Sequence, residues 1–167
     1  MAKKTASTKS KTSKSKTDTK KLVKKAAPSK VATTEVEIPS FFVPSEILRV
    51  FKNLYPEVDL ERVTWSWEVP HKIYEAEFEW RRKEYEVEIL TTGYHYLTEI
   101  SLQPKDLPTM VKAAIKTHFA GYQMEEAEKL MYANGDVHYE VDLVKGDESF
   151  EVHVREDGYV VATGEDL

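Results

Sequence analysis

Cysteine is absent from this chain of 167 residues, and glycine, with 6 residues, is scarce. The lack of cysteine excludes disulfides and thiolate metal ligands but leaves the redox compartment open. The few, scattered glycines do not form a glycine-rich phosphate-binding loop. No apolar run is long enough for a membrane span or for the core of a signal peptide. The sequence therefore predicts a cytoplasmic protein with no membrane contact, unless a leader has been removed.

Residue patterns for enzymatic chemistry are also missing. The sequence contains no helical His-Glu-x-x-His motif and no evident nucleophile and base, and its Ser and Thr residues concentrate in the first 34 positions. An active site needs such a pair, or a metal cluster, in a pocket. We therefore expect a protein that is not an enzyme and carries no cofactor. A small-ligand or metal-binding protein is a third alternative, which only the neighbourhood of His138 and His153 favours.

Charge is divided very unevenly along the chain. Residues 1 to 30 contain 11 Lys and one acidic residue, a net charge of +10, whereas the remainder contains 13 basic and 28 acidic residues, a net charge of −15. Residues 1–34 consist mainly of Lys, Ser, Thr and Ala without hydrophobic periodicity. Such a segment buries too little apolar area to offset its ordering entropy. We predict that it is a disordered basic tail.

The composition of this tail indicates one function and several alternatives. It resembles the Lys/Ala/Ser/Thr tails of histone-like proteins by composition only, and clustered lysines displace phosphate counterions without a fold. Nucleic-acid binding is therefore one prediction. The alternatives are a solubilising or targeting leader, an organelle transit peptide, or an arm attracted to the acidic part of the same chain. The candidate nucleic-acid-binding residues are Lys3, Lys4, Lys9, Lys11, Lys14, Lys16, Lys20, Lys21, Lys24 and Lys25.

The stretch from Tyr74 to Leu90 alternates apolar and polar residues on both sides of Arg81-Arg82. This period of two predicts a β-hairpin with one buried and one wet face. With the two arginines in the turn, apolar residues pair with apolar residues, and glutamates pair with glutamates. The paired glutamates are Glu75 with Glu88, Glu77 with Glu86, and Glu79 with Glu84.

Directly opposed like charges destabilise a sheet, so the glutamate face must be hydrated or matched by positive charge. We predict that these six glutamates dock a protein partner that is cationic. The alternative is a solvated face that protects against aggregation. Trp80, beside Arg81 and Arg82, is predicted to be a surface anchor at the hairpin tip. Trp65 and Trp67 are instead expected under a helix.

Two helices and two sets of strands follow from a repeated pattern. Ile47, Val50, Phe51 and Leu54 have the spacing of one helical face, and Val111, Ala114, Ile115 and His118 repeat it 64 residues later. Beyond one inserted residue the offset becomes 65, and residues 139–143 match residues 74–78. The pattern predicts an α+β fold of two tandem α-β4 repeats, residues 40–102 and 104–163, each with its helix packed on one face of antiparallel sheet.

The quoted motifs resemble those of the PepSY-like family, which is also described as β-lactamase-inhibitor-protein-like. The resemblance covers about residues 40–163. It is carried by the helix that ends in an aromatic residue and Pro56, by the Trp65 strand, by Gly121-Tyr122, and by the segments 74–78 and 139–141. It implies paired α-β4 units with helices on one side, and a non-catalytic binding or inhibitory role, usually in the periplasm. The chain departs from the family where a Lys-rich tail stands in place of a signal peptide, and no inhibitory contact is transferred to it.

The second hairpin has a histidine-containing wet face. Its register sets Glu140 opposite His153 and His138 opposite Arg155. Imidazole and carboxylate suit zinc or nickel, so His138, Glu140 and His153 are weak metal candidates. A cross-strand salt-bridge ladder is the interpretation we favour. His118, on the apolar face of the second helix, is expected to be partly buried and hydrogen-bonded.

Overall fold

The computed structural model describes residues 34–69 and 71–164. The predicted basic tail, including every candidate nucleic-acid-binding lysine, lies outside these residues apart from Thr34. Nine strands in the described part form one antiparallel sheet whose spatial order is the chain order. The strands are β1 (Thr34–Ile38), β2 (Thr64–Val69), β3 (Ile73–Trp80), β4 (Lys83–Leu90), β5 (His95–Leu102), β6 (Gln123–Tyr132), β7 (Val137–Lys145), β8 (Glu148–Arg155) and β9 (Val160–Gly164).

Two α-helices interrupt the run of strands. Helix α1 (Ser45–Leu54) lies between β1 and β2, and α2 (Thr109–His118) lies between β5 and β6. Each helix begins directly after a proline, which suits the fixed backbone geometry at a helix start. The described fold is therefore α+β, as the sequence predicts.

The last position of each predicted apolar helix face differs from expectation. Ile47 and Phe51 are buried, but Leu54 is 41% exposed, and His118, at the matching position of α2, is exposed as well. Both are the final residues of their helices. The prediction that His118 is partly buried is therefore wrong.

The hairpin of β3 and β4 has the predicted register at every pair, from Ile73 opposite Leu90 to Trp80 opposite Lys83. Strand β1 is absent from the sequence prediction. It consists of Thr34–Ile38 and pairs with β2. Its two glutamates make the segment hydrophilic, which does not favour a strand prediction. An edge strand is hydrogen-bonded on one side only, and charged residues are usual there.

Both helices cover the same face of the sheet. Directly paired residues of antiparallel strands share a face, and Val87 pairs with Thr98, Thr98 with Met131, and Met131 with Val137. Val87 belongs to the core beneath α1, and Val137 packs against the core beneath α2. The opposite face carries no α-helix of the described residues, and we refer to it as the open face.

Candidate functional site

The centre of the open face collects glutamates from four neighbouring strands. Glu75 pairs with Glu88 across β3 and β4, Glu86 pairs with Glu99 across β4 and β5, and Glu128 lies on the adjacent β6. We call these five residues, Glu75, Glu86, Glu88, Glu99 and Glu128, the acidic patch. They are partly buried, unlike the remaining predicted hairpin glutamates, Glu77, Glu79 and Glu84, which are exposed.

The hairpin sequence predicts only part of this patch. Glu99 and Glu128 join it because β5 and β6 extend the sheet beyond the hairpin. The alternation of Glu99, Ile100, Ser101 and Leu102 was a usable signal for Glu99, since it places residues 99 and 101 on one polar face. The pairing of β5 with β6 had no comparable local signal.

Carboxyl groups within the patch lie close to one another. Oxygen atoms of Glu75, Glu77 and Glu86 lie within 4.8 Å of one another, and so do those of Glu86, Glu88 and Glu99. Burial, followed by the neighbouring carboxylates, raises the pKa of Glu86 and of Glu99 above the usual range. Both groups therefore favour their protonated form.

Glu88 is a further member of the patch whose ionised form is disfavoured. Burial, and then repulsion from Glu68 and Glu75, raises its pKa to about 7, although His71 acts in the opposite direction. None of the ion pairs found within residues 34–69 and 71–164 involves a member of the acidic patch. Among the described residues, no basic side chain offsets the charge of the patch through an ion pair, and the raised pKa values favour retained protons.

A shallow, open pocket adjoins the acidic patch. Its volume is about 440 Å³, and Glu77, Glu86, Glu99 and Glu128 line it together with Arg62. Carboxylates outnumber basic groups in this lining. The pocket suits a cationic group better than an anion or an apolar molecule, because opposed carboxylates concentrate negative potential.

Trp80 lies at the hairpin tip but not on the open face with the acidic patch. Trp80 follows Phe78 by two residues, so its side chain lies on the helix-covered side, where it contacts the rings of Tyr55 and Tyr85 at centroid distances of 5.5 Å. Arg81 stacks on the indole at 4.0 Å, as expected, and approaches Glu57 at 3.8 Å. Arg82 remains exposed and, with Glu79 and Glu84, lines a second open pocket.

Trp65 and Trp67 lie on the helix-covered face, as predicted, but to different depths. Trp65 is 1% exposed and meets Phe51 of α1 edge to face at 5.3 Å. Trp67 is half-buried and contacts Tyr74 at 4.6 Å. Neither indole contributes to the open face.

The open face of the second hairpin combines acidic and basic groups. His153 Nε2 and Glu140 Oε2 are 2.5 Å apart, across the predicted pair. His138 is opposite Arg155, and its ring lies 5.2 Å from that of Tyr132. The Glu140–His153 contact is one cross-strand pair of the kind predicted for a salt-bridge ladder.

The three metal candidates do not come together as one ligand set. Among the described residues, Glu140 clusters instead with Asp142 and Glu151, with ligand atoms within 4.8 Å of one another, and the acidic patch contains similar carboxylate triads. Sets made only of carboxylates suit Ca²⁺, Mg²⁺ or Mn²⁺, rather than the zinc or nickel expected for histidine ligands. The metal prediction for His138, Glu140 and His153 is not supported by this geometry.

Several solved structures share this fold at low sequence identity. A DUF2874 family protein from Bacteroides uniformis has a TM-score of 0.67 at 14% identity, covering 74% of this chain and 89% of its own. A BLIP-like protein from Bacteroides fragilis has a TM-score of 0.61 at 20% identity, covering 74% and 87%. A protein from Bacteroides eggerthii inferred to be periplasmic has a TM-score of 0.66 at 13% identity, covering 74% and 88%.

No protein-family model and no curated protein sequence matches the chain. The structural likeness establishes a BLIP-like fold and leaves activity and partner open. No helix of the described residues has the length and apolar character needed to cross a bilayer. The predicted cytoplasmic location gains no support, because one neighbour is inferred to be periplasmic.

Proposed function

We propose that this protein is a non-catalytic, protein-binding module whose open face docks a basic segment or surface of a partner. The observation that carries the proposal is the acidic patch, in which glutamates from four strands lie together and form no ion pair with a basic residue of the described ranges, 34–69 and 71–164. Such a patch opposes folding, because buried like charges repel and lose hydration. A docked cationic group would reduce the charge repulsion and replace the lost hydration, so the patch favours binding of such a group.

Lysine and arginine side chains are the groups that fit this face. They form charge-assisted hydrogen bonds with carboxylates, and arginine binds a carboxylate through two parallel bonds. The surrounding exposed glutamates, Glu77, Glu79 and Glu84, extend the negative potential towards the hairpin tip and favour rapid encounter with a basic partner. The tip itself, with Arg82 exposed, would meet an acidic group at the edge of the same contact.

The BLIP-like fold supports a binding role but does not identify the partner. We further infer that the chain arose by tandem duplication of an α-β4 unit, since a 10-residue helix and four strands occur twice in the same order. We also propose that the chain shares ancestry with PepSY-like proteins and that it inhibits its partner. They rest on the sequence motifs and on the BLIP-like neighbour, respectively.

The experiment compares two charge-reversal variants of the full chain. Glu77→Lys with Glu86→Lys alters the open face, whereas Glu46→Lys with Glu156→Lys makes the same change in formal charge on α1 and on the turn after β8. Because the raised pKa of Glu86 keeps it largely protonated, the first variant changes the actual charge by less, so a larger loss there reflects the position of the residues. The probe is a peptide of twelve lysines, titrated at low and at high salt. We expect the first variant to lose at least about tenfold in affinity and the second to lose much less. Equal losses would remove the open face from the proposal.

The charge of the N-terminal segment favours a second function, association with nucleic acid. A segment with 11 Lys among 30 residues binds phosphate backbone through counterion release, and affinity falls steeply with salt. Anisotropy of labelled duplex DNA and RNA, titrated with the full chain and with a chain that begins at Val31, tests this. Binding that persists without the segment, or that ignores salt, would exclude it.

A further inference from the structure

We propose that the acidic patch is a proton-operated switch, which holds protons while the open face is empty and releases them when a basic partner docks. The proposal rests on the proposed function, since it describes how docking at that same face is regulated. Its consequence is that capture of a basic partner strengthens as pH rises. Three features of the open face lead to it.

The first feature is the spacing of the carboxyl groups. Oxygen atoms of Glu75, Glu77 and Glu86 lie within 4.8 Å of one another, and so do those of Glu86, Glu88 and Glu99. Glu86 therefore belongs to both groups and stands at the centre of the patch. Carboxylates this close, and partly removed from water, cannot all be ionised at once.

The second feature is the surplus of acidic groups on every element around the patch. Glu35 of β1 and Glu68 of β2 repel Glu75 and Glu88, respectively, and Glu140 and Asp142 of β7 repel Glu128. The basic groups among the described neighbours are His71, which acts on Glu88, and Arg62 in the pocket lining. Tyr132 of β6 also faces the patch, and the carboxylates of Glu99 and Glu88 raise its pKa further. Protons are thus the available counter-charge while the face is empty.

The third feature is a buried hydroxyl at the edge of the patch. Ser66 of β2 is 4% exposed and pairs with Glu75, and its Oγ forms no hydrogen bond of normal geometry although the Glu75 carboxyl adjoins it. Buried polar atoms in folded proteins usually have a hydrogen-bond partner, so an exception calls for an explanation, and a bound ligand is one. An incoming ammonium group placed between Ser66 and Glu75 would donate to both oxygens.

The directions of the pKa shifts in the patch agree with this geometry. The pKa of Glu88 is raised to about 7, and burial raises the pKa of Glu86 and Glu99 further above the ordinary value. A cation set against these groups favours their ionised form and lowers their pKa. Protons must then leave as the partner binds, and affinity must rise with pH through the same range.

Isothermal titration calorimetry of the full chain with the twelve-lysine peptide tests the switch. The binding enthalpies measured at pH 7.5 in phosphate and in Tris, at equal ionic strength, differ by the number of protons released multiplied by the difference between the ionisation enthalpies of the two buffers. We expect about one proton or more per complex, and an affinity that rises at least about tenfold between pH 6 and pH 8, where lysine stays charged. The variant Glu86→Gln with Glu99→Gln should lose most of both effects, while Glu46→Gln with Glu156→Gln should keep them.

Each outcome decides between the two proposals. Binding that needs the open face but shows equal enthalpies in both buffers and a flat pH profile would overturn the switch and leave the proposed function intact. If the peptide does not bind at any pH, the proposed function fails, and carboxyl-carbon NMR of the unbound protein then decides the switch. Midpoints of Glu86 and Glu99 above pH 6 would support proton retention, and midpoints below pH 5.5 would overturn it.

Discussion

The two halves of the open face carry acidic residues at matching places but neutralise them differently. In the first half Glu75 is opposite Glu88, whereas 65 residues later Glu140 is opposite His153 and is bonded to it. The second hairpin thus has a local counter-group where the first has another carboxylate. A histidine opposite a glutamate thus removes the repulsion that two opposed glutamates would have at this position of the sheet. The lack of such a counter-group among the described residues of the first half is the basis on which we propose that half as the docking surface.

The cores beneath the two halves should respond alike, and testing them gives the largest expected effect. Phe51→Ala removes a fully buried ring from the first core, and Ile115→Ala removes a buried side chain from the second. We expect free energies of unfolding to fall by about 3–5 and about 2–5 kcal/mol, respectively, in urea denaturation. Leu54→Ala, at an exposed helix end, should cost less than about 1 kcal/mol. A large loss for Leu54→Ala would contradict the assignment of these helix faces.

The pH dependence of stability should reveal the unneutralised half. A carboxyl group whose pKa is raised in the folded protein stabilises it below its unfolded pKa and loses that contribution as pH rises through the folded value. For Glu88 this range extends from about 4.5 to about 7, and for Glu86 and Glu99 it extends higher. We expect the free energy of unfolding to fall by about 2 kcal/mol between pH 6.5 and pH 9.

His95 opposes this trend only at lower pH. Its pKa is lowered by burial, so its stabilising contribution is complete above about 6.5 and is lost as pH falls. The comparison above pH 6.5 therefore isolates the carboxyl groups. Thermal unfolding of Glu86→Gln with Glu99→Gln should give a flatter profile than that of the unmodified chain. Stability that rises over this range would contradict proton retention in the acidic patch.

Exchanging the counter-groups tests the comparison directly. Glu88→His gives the first hairpin the pair found in the second, and His153→Glu gives the second hairpin the pair found in the first. We expect the first change to raise the free energy of unfolding at pH 6 by about 1 kcal/mol and the second to lower it by about 1 kcal/mol. Chemical denaturation measures both, and the same sign for the two variants would contradict the account.

The hairpin tips provide the smallest expected effect. Arg81 and Arg82 adopt left-handed backbone angles, φ 53° and 65°, whereas Gly146 takes a φ of 65° in the second tip. Such angles cost most residues about 1 kcal/mol but cost glycine little. Arg82→Gly should therefore stabilise the protein by about 1 kcal/mol, and Gly146→Ala should destabilise it by about as much. An unchanged midpoint for both variants would show that the turns carry no strain.

Local patterns in the sequence predict more of this fold than of the candidate site. Alternation around Arg81-Arg82 suffices for the register of β3 and β4, because a two-residue turn leaves no freedom to shift it. The acidic patch needs more, since Glu99 reaches it through the pairing of β4 with β5, and Glu128 through the pairing of β5 with β6, across an intervening helix. Trp80 lies at the hairpin tip, as predicted, but it is half-buried there, because its ring packs on Tyr55, which is far away in sequence.

The most direct measurement is carboxyl-carbon NMR of the full chain at pH 8, with and without the twelve-lysine peptide. The account predicts that resonances of Glu75, Glu86, Glu88 and Glu99 shift most, that Glu140 and Asp142 shift less, and that Glu46 on α1 stays in place. Equal shifts for all of these carboxyl groups, or shifts confined to Glu140 and Asp142, would contradict the claim that the first half of the open face is the docking surface.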